Sequence, residues 1–192
     1  MGKDAPRETE VKFRLEDRAA FEVRLLALGA YCEGRERERN VLFDNGAGTL
    51  KAHGSALRLR TTEKGALLTY KGKAEFAGGV KTRLELESGV DSPERIADLL
   101  AQIGFQPRFT YEKRRTTWRF ADPERPVVVV DETPLGLFAE LEGTNDAIRK
   151  LAGELGVLAS AFLPESYVAL WIKARERDPS LPPDMVFAPG AL

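Results

Sequence analysis

Six stretches of the 192-residue chain alternate apolar with polar side chains at period two: 8–15, 56–62, 66–73, 80–90, 111–120 and 136–143. Successive residues of a strand face opposite ways, so this pattern predicts six strands. Runs 37–44 and 126–131, bounded by Asp-Asn-Gly and Asp-Pro turn sequences, raise the number to eight, enough to close a barrel. Helical spacing replaces the alternation at 17–28, 92–103 and 144–155. Each of these segments opens on a capping residue (Asp17, Ser92, Thr144) and stops at a glycine (Gly29, Gly104, Gly156), the asymmetry expected of helix ends. A fourth helix is predicted over 165–175. Four of the chain's 11 prolines fall in 178–192, so the chain divides into a single domain over 1–176 and a Pro-rich tail over 177–192, loose or strapped to the body.

The polar faces of these strands are almost wholly ionic. In 8–15 the even positions are Glu8, Glu10, Lys12 and Arg14, spaced about 6.6 Å along one face, against Val11, Phe13 and Leu15 on the other. Arg58 and Arg60 alternate with Leu57 and Leu59, Lys81 to Glu87 with Val80, Leu84 and Leu86, and Glu140 and Glu142 with Leu137, Ala139 and Leu141. Lys113 with Arg115 forms a further pair, and Asp131 ends a valine run. Any one such strand could be an ordinary amphipathic strand with its charges in water. Collectively, however, the polar faces lack the Thr, Ser, Asn and Gln of a solvated sheet, and three long amphipathic helices need apolar surface to cover. The expected architecture is therefore α+β, an eight-stranded antiparallel barrel with helices packed outside and charges pointing in.

Burying ions is costly unless they are compensated. The expected inward set holds ten cations (Lys12, Arg14, Arg58, Arg60, Lys71, Lys81, Arg83, Lys113, Arg115 and Arg119) and seven anions (Glu8, Glu10, Glu85, Glu87, Asp131, Glu140 and Glu142). The positive excess calls for an anionic ligand. Carboxylates are hard donors suited to Mg²⁺ or Mn²⁺, while Arg and Lys suit phosphate oxygens. Over the whole chain, 29 basic residues meet 30 acidic ones, which argues against a general nucleic-acid binder. The lone Cys32 excludes an internal disulfide framework, and neither a leader-like apolar stretch nor a membrane-length run occurs, so a cytoplasmic location is expected.

The ordered motifs resemble those of one known family. They are E-x-E-x-K at Glu8, Glu10 and Lys12; L-x-x-x-G-x-x-L-R-L-R from Leu50 to Arg60; L-T-Y-K-G from Leu68 to Gly72; K-T-R-x-E-x-E from Lys81 to Glu87; and the region ending in Glu140 and Glu142. Together with Ser166 and Tyr167 before a leucine-containing helix, they resemble the CYTH family of triphosphate tunnel metalloenzymes over roughly residues 7–172. The resemblance implies an eight-stranded tunnel with divalent cations, Mg²⁺ or Mn²⁺, held by Asp131, Glu140 and Glu142 and, for a second ion, by Glu8 and Glu10. It implies phosphate binding by Lys12, Arg58, Arg60, Lys71, Lys81, Arg83, Lys113 and Arg115, with Lys71 near the scissile phosphate as the catalytic candidate. Glu85 and Glu87 would orient neighbouring cations. Many relatives read Tyr-Phe-Asp-Thr where this chain has Leu42, Phe43, Asp44 and Asn45, so a role carried by that tyrosine is in doubt here.

Two enzyme readings and one binding reading follow. Attack by water on the terminal phosphorus makes a triphosphatase acting on inorganic triphosphate, thiamine triphosphate or a nucleotide; this ranks first because it requires the fewest elements. Attack by the ribose 3′-hydroxyl of ATP makes a class IV adenylyl cyclase, but the sequence offers no recognisable adenine pocket. The third reading is a non-catalytic module that senses polyphosphate or nucleotide. The expected partner is a small triphosphate, with homodimerisation open and nucleic acid or membrane disfavoured. His53, the only histidine, reads as an exposed loop residue, and Trp118 and Trp171 read as packing residues.

Overall fold

A computed structural model describes residues 6–190; residues 1–5 and 191–192, the outer ends of the expected domain and tail, lie outside the described residues. Nine strands form: β1 (Arg7–Arg14), β2 (Tyr31–Asn45), β3 (Ala56–Thr62), β4 (Gly65–Lys71), β5 (Glu75–Ala77), β6 (Val80–Val90), β7 (Phe105–Arg119), β8 (Val127–Thr133) and β9 (Gly136–Glu142). Their order is β1-β9-β8-β7-β2-β3-β4-β6, and β1 also pairs with β6, so eight antiparallel strands close on themselves. Closure leaves no free edge among these eight. The extra strand β5 is an addition to β6, made through a hairpin at Gly78 and Gly79, both with positive φ.

The helices are α1 (Arg18–Ala27), the single turn α2 (Thr49–Ala52), α3 (Pro93–Gln102), α4 (Asn145–Glu154) and α5 (Tyr167–Arg177). The predicted caps form, since the side chains of Asp17, Ser92 and Thr144 accept backbone N–H groups of the first turns, and Ser166, which was expected inside the fourth helix, caps α5 in the same way. Gly29, Gly104 and Gly156 end three of these helices in the left-handed region. Asp44 anchors α2 by accepting from the backbone of Asn45, Leu50 and Lys51.

The apolar faces of the strands point outward. Val11, Phe13, Trp118, Val128, Val130, Ala139 and Leu141 form one core with Phe21 and Leu25 of α1 and Ile148, Leu151 and Ala152 of α4. Leu57 and Leu59, with Phe43 and Leu68, pack in a second core with Ile96, Ala97 and Leu100 of α3. Helices thus supply the apolar cover that drives burial, and the barrel is left free to carry its ions inside.

One end of the barrel is plugged. Tyr111 and Phe138 meet Tyr167 and Trp171 of α5 and the fully buried Met185 of the tail. The tail is strapped in place: Met185 exchanges backbone bonds with Thr110 and Glu112, Asp184 accepts from the Thr110 N–H, and Trp171 Nε1 donates to the Pro182 carbonyl.

Candidate functional site

Two of the expected inward cations lie elsewhere. Arg14 is exposed and donates to the Leu135 carbonyl, and Arg119 pairs with Glu33 on the surface. Both sit at strand ends, where alternation no longer decides between interior and solvent. The other expected residues do converge, and Glu38 of β2, fully buried, joins them. Taking Arg14 and Arg119 from ten cations and adding Glu38 to seven anions leaves eight of each in the barrel. Every one of the eight cations is paired within the barrel, with Glu87 exposed at its rim.

The pairs form a continuous lattice. Lys71 Nζ lies 3.2 Å from Glu8 and 2.6 Å from Glu85. Lys81 pairs with Glu10, and Arg83 lies 3.6 Å from Glu8. Arg58 reaches Glu85 and Glu87, and Arg60 lies 3.3 Å from Glu38 and 3.7 Å from Glu87. Lys113 binds Asp131 at 3.0 Å and Glu38 at 3.5 Å. Arg115 forks onto both oxygens of Asp131 at 2.8 Å and reaches Glu140 at 2.6 Å; Glu140 also holds Lys12 at 3.0 Å. From the plug, the Tyr167 hydroxyl donates to Asp131 at 2.9 Å while its ring lies 4.0 Å from Lys12 Nζ.

Burial alone would raise every carboxyl here and lower every ammonium. At Glu38 the cations Lys113, Arg115, Arg60 and Arg58 outweigh burial and hold the pKa down at about 2. Glu140 is likewise held well below the usual range, against burial, by Lys12, Arg115 and Lys113. Glu142 goes the other way: burial, then Glu140, Glu8 and Glu10, overcome Arg115 and push it up to about 7. Lys71 is lowered by burial and by Arg58 and Arg83, which together exceed the support of Glu8 and Glu85.

Glu8, Glu10 and Glu142 each place one carboxylate oxygen within 4.8 Å of the others, a hard-donor group of the kind that holds Mg²⁺ or Mn²⁺. Asp131 and Glu140, expected beside Glu142, pair with Lys113, Arg115, Lys12 and Tyr167, as Glu8 and Glu10 pair with Lys71, Lys81 and Arg83. Two cations carry buried donors that make no hydrogen bond among the described residues: Arg58 Nε, and Arg83 Nε, whose nearest carboxylate oxygen, on Glu8, is 3.6 Å away. Unfilled donors in a buried wall suit an incoming anion. A mouth of about 370 Å³, lined by Pro6, Arg7, Glu8, Glu85 and Glu87, opens from this region.

Glu38, Asn40, Thr69, Tyr111 and Tyr167 were not among the expected site residues. Asn40 Nδ2 donates to Glu38, Thr69 bridges Arg58 and Glu87, and the buried Tyr111 lies beside Arg58. Tyr167 was visible only as part of the Ser166–Tyr167 pair, and Glu38 was masked because β2 carries charges on both faces. His53 is exposed and bonds the Thr49 carbonyl, while Trp118 and Trp171 are buried packing residues, as expected.

Comparison with known proteins agrees with this architecture. A Methanocaldococcus jannaschii protein named "Putative adenylate cyclase" is 27% identical over 135 residues, spanning 70% of this chain and 75% of that protein. A Vibrio parahaemolyticus structure described in the same words superposes with a TM-score of 0.75 at 18% identity, covering 88% of this chain and 99% of that one. A Hippeastrum protein, described as an adenylyl cyclase candidate that reveals a dominant triphosphatase activity, superposes with a TM-score of 0.64 at 20% identity over 87% and 96% of the two chains. At these identities the two structures establish the fold. The CYTH domain model matches residues 6–154, well over half the chain and every barrel strand, and the chain belongs to the CYTH domain family.

Proposed function

We propose that this protein is a divalent-metal-dependent triphosphatase that binds the triphosphate inside its barrel. The observation that carries the reading is an interior of paired cations in which the buried Nε atoms of Arg58 and Arg83 make no hydrogen bond among the described residues and Glu8, Glu10 and Glu142 cluster within reach of one ion. In this reading Lys12, Arg58, Arg60, Lys81, Arg83, Lys113 and Arg115 bind phosphate oxygens, with arginine as a bidentate fork and lysine as a point charge. Lys71, desolvated between Glu8 and Glu85, contacts the terminal phosphate and orients the attacking water. Glu8, Glu10 and Glu142 hold Mg²⁺ or Mn²⁺, which when bound offsets the charge that develops on the phosphate oxygens. Asp131 and Glu140 add to that set once their ion pairs with Lys113, Arg115 and Lys12 give way. Positioning and electrostatics, rather than covalent chemistry, then supply the rate.

The alternative is cyclisation of ATP to cyclic AMP and pyrophosphate. It is favoured by the cyclase names of the archaeal and Vibrio relatives. The Hippeastrum protein shares the same fold and is described as a triphosphatase, so the fold is compatible with hydrolysis. The test is phosphate release from tripolyphosphate with Mg²⁺, with Mn²⁺ and with chelator. Turnover that requires the metal supports the reading; none with either ion removes it.

A further inference from the structure

Glu38 stands apart from the other interior carboxylates. It is fully buried and lies outside the Glu8, Glu10 and Glu142 cluster. Its two oxygens face three cations from two strands: Arg60 at 3.3 Å, Lys113 at 3.5 Å and Arg115 at 3.8 Å. Among the described residues the only other polar side chain bonded to it is Asn40, whose Nδ2 donates at 3.3 Å and whose Oδ1 is buried with no hydrogen-bond partner there. A carboxylate so surrounded cannot take a metal ion without driving one through its own ring of cations. It does two other things. It fixes the separation of Arg60, Lys113 and Arg115, and it cancels charge that would otherwise be available to an anion.

We propose that Glu38 is a positioning residue and internal counter-ion of the barrel: it spaces three phosphate-facing cations and, by neutralising them, makes triphosphate binding depend on the metal that accompanies it. The inference rests on the proposed function above. Its physical basis is that every interior cation is already paired, three of them on Glu38, which leaves little unopposed positive charge for a highly charged anion arriving alone. A triphosphate entering with divalent cations is nearly neutral and meets no such opposition. Remove the Glu38 charge, and the interior gains one uncompensated cation next to the phosphates, where charge interactions fall off slowly because water is excluded.

The test is calorimetric binding of tripolyphosphate to wild type, Glu38→Gln and Glu38→Asp, each with Mg²⁺ and with chelator, alongside kcat and KM. Binding by wild type in Mg²⁺ tests the underlying reading, and its failure removes that reading together with the inference. Where wild type binds, Glu38→Gln should tighten the metal-free Kd at least about tenfold, the effect of one like charge removed from a buried neighbourhood. An unchanged or weaker metal-free Kd in Glu38→Gln overturns the counter-ion role while leaving the proposed function standing. Glu38→Asp keeps the charge but shortens the reach, and it remains informative if the Gln variant does not fold. Its metal-free Kd should stay within about threefold of wild type while kcat falls about tenfold at unchanged KM, the pattern of an interaction realised in the transition state. A wild-type kcat in Glu38→Asp, or a tightened metal-free Kd, overturns the positioning role.

Discussion

Glu38 and Arg37 are neighbours in sequence with opposite fates. Arg37 lies on the outer surface against Glu112, and Glu38 is sealed inside against Lys113. Residues 35–39 read Arg-Glu-Arg-Glu-Arg, so the usual contrast between an apolar and an ionic face is missing, and the sequence carries no local signal of which set turns inward. The strands with a clean contrast, such as 57–60, are legible: Leu57 and Leu59 go out and Arg58 and Arg60 go in. Burial makes the Glu38 pair matter to stability. With a folded-state pKa of about 2 against the usual 4.5, Glu38 binds fewer protons folded than unfolded between those values. It therefore contributes stability that is fully present above about pH 4.5 and is lost as pH falls towards 2, on the order of 3 kcal/mol in all. Urea denaturation should show wild type losing more stability than Glu38→Gln between pH 6 and pH 3, and parallel losses would contradict this assignment. A second prediction concerns the metal group. Glu10→Gln should leave a folded barrel with activity reduced about 100-fold, and excess Mn²⁺ should not restore it.

At the scale of elements, the helices were the most readable part because each carries its own stop and start signals. The capping side chains and terminal glycines predicted for α1, α3 and α4 are the ones that form. What could not be read locally depends on partners far away in sequence. Strands β2 and β7 extend to 15 residues each because they pair with one another over nearly their whole length, including segments with no alternation of their own. Neither β5 nor α2 is long enough to show a period. The α3 contact is testable: Leu100 is buried between α3 and β2/β3, and Leu100→Ala should cost about 2–5 kcal/mol by calorimetry, with little effect on KM because the site lies on the opposite face of the sheet. At α5 the link to the site is direct. Tyr167→Phe keeps the ring against Lys12 and Phe138 but removes the donor to the buried Asp131. That should lower stability by about 1–2 kcal/mol and reduce kcat, since Asp131 also holds Lys113 and Arg115. Unchanged kcat in Tyr167→Phe would mean that the plug is only a seal.

At the scale of the molecule, the barrel has its apolar face outside, under α1, α3 and α4, and its ions inside, and one end is stopped by α5 and the strapped tail. In the proposed function, a triphosphate would enter at the mouth near Arg7, Glu8, Glu85 and Glu87. This geometry bears on hydrolysis against cyclisation. A cyclase must hold ribose and base so that the 3′-hydroxyl reaches the α-phosphorus, which needs an aromatic or apolar slot beside the phosphate site. The described mouth is lined by proline and charged side chains, and the aromatics nearest the interior, Tyr111, Phe138 and Tyr167, are packed together in the plug. If only the phosphates are recognised, the nucleoside adds no contacts in the transition state, and tripolyphosphate should be turned over with a kcat/KM at least equal to that of ATP. The decisive measurement is the set of products formed from ATP and from tripolyphosphate in Mg²⁺ and in Mn²⁺. Inorganic phosphate from both is the expected result. Equimolar cyclic AMP and pyrophosphate from ATP, with no turnover of tripolyphosphate, would instead make the chain a cyclase and require that a base-binding surface form at the mouth when ATP enters.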